Sequence, residues 1–193
     1  LSVTTLAWAL TNFASVIHPT DPSNLGIMRL VMFCVVLQNT AFFFFAKTFP
    51  STVLTMRKRS AALYLTISLL VAVATLSPYL FTGLVISNGQ SNPTPGPLIV
   101  FFVIHAAMSI IRAFLALFRK FRKSHGSERN QLRFILIGAV LNWVAVPLTN
   151  FVYTLVTKNT LFIKLGPIYT LLFAGVMGYA IIAQKLFDIR SIV

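Results

Sequence analysis

Six long apolar runs, none of them holding a carboxylate, constrain this chain more than any other feature. They cover 1–17, 26–46, 61–84, 98–118, 132–156 and 165–187. A helix needs about 20 mainly apolar residues to cross a bilayer, and each run is of that order. The runs are continuous rather than alternating, which argues against a membrane strand barrel. Only 10% of the residues are charged and 57% are hydrophobic, with a mean hydropathy of +0.84. A soluble domain carries about 25% charged residues, and a chain this apolar could not cover itself with polar surface. A bilayer removes the difficulty by offering apolar solvent to the outside of the protein. The expected fold is therefore all-α: one polytopic membrane helix bundle of about six transmembrane helices, spanning 1–193.

The breaks between the runs are distinct. His18 to Asn24 is a turn cluster with two prolines. Residues 87–97, rich in Asn, Pro and Gly, read as a loop able to form neither helix nor strand. The first run lacks a basic segment before it and has a poor cleavage site at His18-Pro19, so it does not read as a signal peptide. Leu1 lies inside an apolar stretch, and the chain reads as a piece of a longer protein. The single cysteine, Cys34, permits no disulfide framework.

Charge supplies the orientation. Sixteen Lys and Arg face three carboxylates, Asp21, Glu128 and Asp188, for a net charge of +13. Lys47, Arg57, Lys58 and Arg59 follow the second run. Arg119, Lys120, Arg122, Lys123, Arg129 and Arg133 follow the fourth, and Lys185 and Arg190 follow the sixth. The segments 18–25 and 85–97 hold no Lys or Arg, and 157–164 holds Lys158 and Lys164. This alternation is that of a membrane protein whose basic loops are cytoplasmic. It places both ends of the chain in the cytoplasm of a multi-pass cell-membrane protein and gives no reason to expect a nucleic-acid partner.

The empty acidic inventory of the runs excludes whole classes of chemistry. An intramembrane aspartyl protease needs two carboxylates there, and ion-coupled carriers use at least one. The His-Glu-x-x-His zinc motif is absent, as are Gly-x-Ser-x-Gly and a phosphate-binding glycine loop. No catalytic residue, metal or cofactor is expected. The polar residues that remain in the runs are few. His105, Ser109 and Arg112 follow at i, i+4 and i+7, on one stripe of a helix, with Arg112 placed to snorkel. Gln38 and Asn39 sit midway along the second run, Asn142 and Asn150 in the fifth. Such residues hold helices together or line a ligand site. Trp143, Pro147, Asn150 and Thr154 share one face of the fifth run, where Pro147 introduces a kink. The candidate ligand-binding set is thus His105, Arg112, Gln38, Asn39, Trp143 and Asn150. In the sixth run, Gly175 and Gly178 permit close helix approach.

Several segments together carry a family resemblance. They are Trp8 with Asn12, Phe49-Pro50, Glu128 to Arg133 with Gly138, Asn150, Leu165-Gly-Pro167, and above all Tyr179 to Ile189 with its Leu-Phe-Asp-Ile close. The chain resembles the N-terminal seven-transmembrane sensor region of bacterial histidine kinases, and would correspond to helices two to seven. The resemblance implies a sensory input domain of a two-component system, not itself an enzyme, with an output domain expected after residue 193. It implies a small-molecule or lipid stimulus and a homodimer formed through the parent chain. The last helix, with Gly175, Gly178, Tyr179, Leu186 and Asp188, would be the output rod. The competing readings are a transporter or channel-like subunit and a ligand-free scaffold; no internal repeat of the transporter kind is visible.

Overall fold

The computed structural model describes residues 1–17, 23–50, 54, 56–87, 90–153, 156 and 166–183. It is overwhelmingly helical. The helices are α1 (Ser2–Ile17), α2 (Asn24–Thr48), α3 (Lys58–Thr75), α4 (Ile99–Lys123), α5 (Gly126–Val140) and α6 (Gly166–Ala183). Strands β1 (Phe81–Ser87) and β2 (Gln90–Pro95) lie between α3 and α4. Two compact units emerge, Leu1–Ala113 and Phe114–Val193.

On α1 the usual partition of side chains is inverted. The buried face of α1 is Thr5, Trp8, Asn12 and Ser15, spaced by three or four as one helical stripe. Its exposed residues include Val3, Leu6, Leu10 and Phe13. In water this would waste apolar surface. In a bilayer it is the economical arrangement, because lipid solvates the outer face and the buried polar groups find partners inside. The Asn24 amide donates to the Ser15 carbonyl at 3.1 Å, and Gln38 donates to Thr5 Oγ1 at 3.4 Å, tying α2 to α1. Among the described residues, α2, α3 and α4 are long and apolar enough to cross a membrane, and α1 is a shorter apolar helix.

The structure departs from the sequence reading at two places in this unit. The expected run 61–84 stops being helical at Thr75. The Leu76 and Ser77 amides turn back on Val73 and Ala74, three residues earlier, and Pro78 cannot supply the next donor. The second departure is 87–97, which was expected to form no regular structure. Gln90–Pro95 is a strand, antiparallel to β1, with Phe81 opposite Pro95 and Leu84 opposite Pro93. Proline is excluded from central strands because it cannot donate to a ladder. In a two-stranded ribbon each strand keeps one open edge, and the donor-less nitrogens can face it. The ribbon is closed at its root. The Gly96 amide donates to the Leu80 carbonyl at 2.8 Å, and Leu98 to the Tyr79 carbonyl at 3.2 Å. A Cβ on Gly96 would collide with the Tyr79 carbonyl. Arg29 of α2 donates to the Phe81 carbonyl at 2.6 Å, and beneath it Leu80 and Phe81 pack into a core with Val36, Ala72 and Phe102.

In the second unit α5 packs against α6. Leu132, Ile135, Gly138 and Ala139 form the buried face of α5, and Phe173 of α6 is buried against it. The reading of 132–156 as one span with a proline kink changes in form. Helix α5 begins earlier, at Gly126, and from Leu141 the path widens into π-helical turns, Leu141–Ala145 and Leu148–Tyr153, on either side of Pro147. The proline removes one donor and crowds the carbonyl four residues back, and wide turns are a recognised way of absorbing that mismatch.

Candidate functional site

A buried polar group of the first unit lies between α3 and α4. Two residues on each helix make it, both pairs spaced i, i+4: Tyr64 with Ser68, and His105 with Ser109. The Ser68 hydroxyl donates to the Tyr64 carbonyl at 2.9 Å, and the Ser109 hydroxyl to the His105 carbonyl at 2.6 Å. The Ser109 hydroxyl has thereby used its proton on its own helix, and its oxygen is left to accept from the neighbour. Ser109 accepts from the Tyr64 hydroxyl at 2.7 Å. Ser68 meets His105 Nε2 at 2.9 Å.

The result is a reciprocal clasp. Tyr64 bonds through Ser109 to the His105 backbone, and His105 bonds through Ser68 to the Tyr64 backbone. The Tyr64 and His105 rings lie nearly parallel, with centroids 6.0 Å apart. Phe43 of α2 closes over Tyr64 at 4.3 Å. His105 is 8% exposed, and its Nδ1 has no hydrogen-bond partner among the described residues. Interhelical hydrogen bonds in membrane proteins are worth about 0.6 kcal/mol each on average. Two of them hold α3 to α4 by roughly 1 kcal/mol, enough to favour one helix arrangement without forbidding another.

The predicted site residues are dispersed. His105 belongs to the clasp. Arg112, on the same helix, is exposed, as a snorkelling arginine would be. Gln38 and Asn39 are buried on α2, where Gln38 meets Thr5 of α1 rather than the clasp. Trp143 belongs to the second unit, buried, with its ring edge-on to Phe173 at 5.3 Å. Asn150 lies in the second π-helical stretch; its side chain, like Thr154, is outside the described residues. Of the output-rod residues, Gly175 and Gly178 have nothing within 4 Å of a notional Cβ. Tyr179 is exposed, with its ring 5.3 Å from that of Phe134. Leu186 and Asp188 lie outside the described residues. Among the described residues, a close approach between α5 and α6 is at Gly138, where a Cβ would come 3.1 Å from the Phe173 ring.

Sequence reasoning overlooked Tyr64 and Ser68. The signal was present: two neighbouring apolar runs each carry a pair of hydrogen-bonding residues four apart. In a bilayer both pairs gain by facing one another.

Over residues 1–190 the chain matches the family described as the N-terminal 7TM region of histidine kinase. No curated protein and no solved structure matches it significantly.

Proposed function

Because the chain belongs to the family of N-terminal seven-transmembrane regions of histidine kinases, we propose that it receives a stimulus within or outside the bilayer and passes it to a cytoplasmic output domain. The observation that carries the reading is the clasp between α3 and α4. A sensor needs two helix arrangements close in free energy, which a stimulus can bind unequally. A pair of reciprocal hydrogen bonds inside otherwise apolar helices is a joint of that strength. In this reading the β-ribbon, whose sequence carries no Lys or Arg, faces outward, and the basic segments at 119–133 and 185–190 face the cytoplasm. Both ends of the chain are then cytoplasmic, and α6 carries the change to the output. The stimulus is a small molecule or lipid, and the working unit is a homodimer of the parent kinase.

The test is made in the parent kinase, in lipid, without knowledge of the stimulus. Ser68→Ala and Tyr64→Phe each remove one interhelical bond. Each is expected to change autophosphorylation per folded molecule by about threefold, the equivalent of about 0.6 kcal/mol. Both should move it in the same direction. Reduced folded yield with unchanged specific activity in both variants would show that the clasp serves packing alone.

A further inference from the structure

The outward face of α4 is an apolar row, interrupted once by the exposed Arg112, that ends in cations. Phe101, Ile104, Met108, Ile111, Leu115 and Phe118 are each exposed and follow one another at three- and four-residue steps, one stripe along the helix. The next positions on that stripe are Arg119 and Arg122, both exposed. Helix α5 repeats the pattern in reverse. Val140 and Ile137 are exposed, and the same stripe continues into Arg133 and Arg129, also exposed. The two helices meet in a connection of only Ser124 and His125. Ser124 is buried and its amide still bonds to the Lys120 carbonyl at 3.0 Å. Gly126, with φ at 59°, makes the turn. The Arg129 guanidinium lies 5.1 Å from the centre of the Phe121 ring, joining the collar across the turn.

We infer that this corner is a binding site for the headgroups of anionic phospholipids. Basic residues on a solvated loop would need neither a two-residue turn nor alignment with the lipid-facing stripes. Here the cations stand directly beyond exposed apolar residues that a bilayer would cover with acyl chains, at the level its phosphates would take. The length agrees: α4 has 25 residues, about 37 Å, against a hydrocarbon core of about 30 Å, so its basic end reaches the headgroup layer. Arg119, Lys120, Arg122, Lys123, Arg129 and Arg133 face a single carboxylate in the segment, Glu128. Arginine forks match phosphate oxygens, and each cation near an anionic surface contributes to binding. The inference does not depend on the sensor reading; it requires only that the corner lie at the membrane surface.

The test uses the protein in nanodiscs of equimolar phosphatidylglycerol and phosphatidylcholine, released gently and weighed by native mass spectrometry. Phosphatidylglycerol should be retained in preference to phosphatidylcholine. The combined variant Arg119→Gln, Arg122→Gln, Arg129→Gln, Arg133→Gln should lose about tenfold or more of that preference, while Lys at the same four positions should keep most of it. All four side chains are exposed, so helicity by circular dichroism should be unchanged in the variant. High salt should weaken the preference of the unmodified protein. Equal retention of the two lipids, or an undiminished preference in the Gln variant, would overturn the inference. Displacement of phosphatidylglycerol by inorganic phosphate would overturn it as well, since the site would then read a free anion.

Discussion

At the scale of single residues, two glycines hold backbone or ring where a methyl group would stand, and they differ in what can yield. A Cβ on Gly96 would meet the Tyr79 carbonyl, which is itself fixed by the Leu98 amide. A Cβ on Gly138 would meet the edge of the Phe173 ring at 3.1 Å, and a ring can move by a few tenths of an ångström. Overpacking costs typically about 1–3 kcal/mol. Gly96→Ala is expected at or above the top of that range and Gly138→Ala near the bottom, read as loss of unfolding resistance in a mild-detergent titration. Equal costs would mean that the ribbon root adjusts as easily as a side chain. His105 illustrates what the sequence discloses at this scale. A histidine amid apolar residues signals that it must find a partner inside the protein, and it does. The partner was signalled only by spacing: Tyr64 and Ser68 are four apart in the neighbouring run, as His105 and Ser109 are in theirs, and that match gains meaning once α3 and α4 are brought together.

At the scale of elements, the helices were legible because a bilayer calls for long unbroken apolar runs. The apolar runs at 1–17 and 26–46 became α1 and α2 with ends displaced by two residues or fewer. The end of α3 and the ribbon were not. Residues 76–84 remain as apolar as a helix, and only the tertiary core under Leu80 and Phe81 shows why they are better used extended. The proline-rich β2 broke a rule that holds for central strands and lapses at edges. The widened turns around Pro147 were foreseeable as a disturbance and not in their form. Orientation is tested with these same elements. Cysteines at Val85 on the ribbon and Ser127 at the α4–α5 corner are both at exposed positions, while Cys34 is buried and supplies a low background. An impermeant thiol reagent applied to intact cells should label Val85→Cys and spare Ser127→Cys. Labelling of Ser127→Cys from outside would reverse the orientation, and with it the cytoplasmic output.

For the whole molecule, the account rests on one coupling: a change among the helices of the first unit must reach whatever the last helix carries. The family to which the chain belongs is the N-terminal 7TM region of histidine kinase, the part of such proteins that precedes the kinase. A helix that continues unbroken past α6 would transmit rotation or shift; a flexible tether would not. In a helix one added residue turns everything downstream by about 100°, whereas seven restore the phase to within roughly 20°. The decisive measurement is therefore autophosphorylation of the parent kinase with one residue, or seven, inserted after Asp188. The account predicts that one inserted residue locks or inverts the output and that seven largely preserve it. Normal output from both proteins would contradict it, and would mean that the output domain hangs from the membrane region on a flexible link.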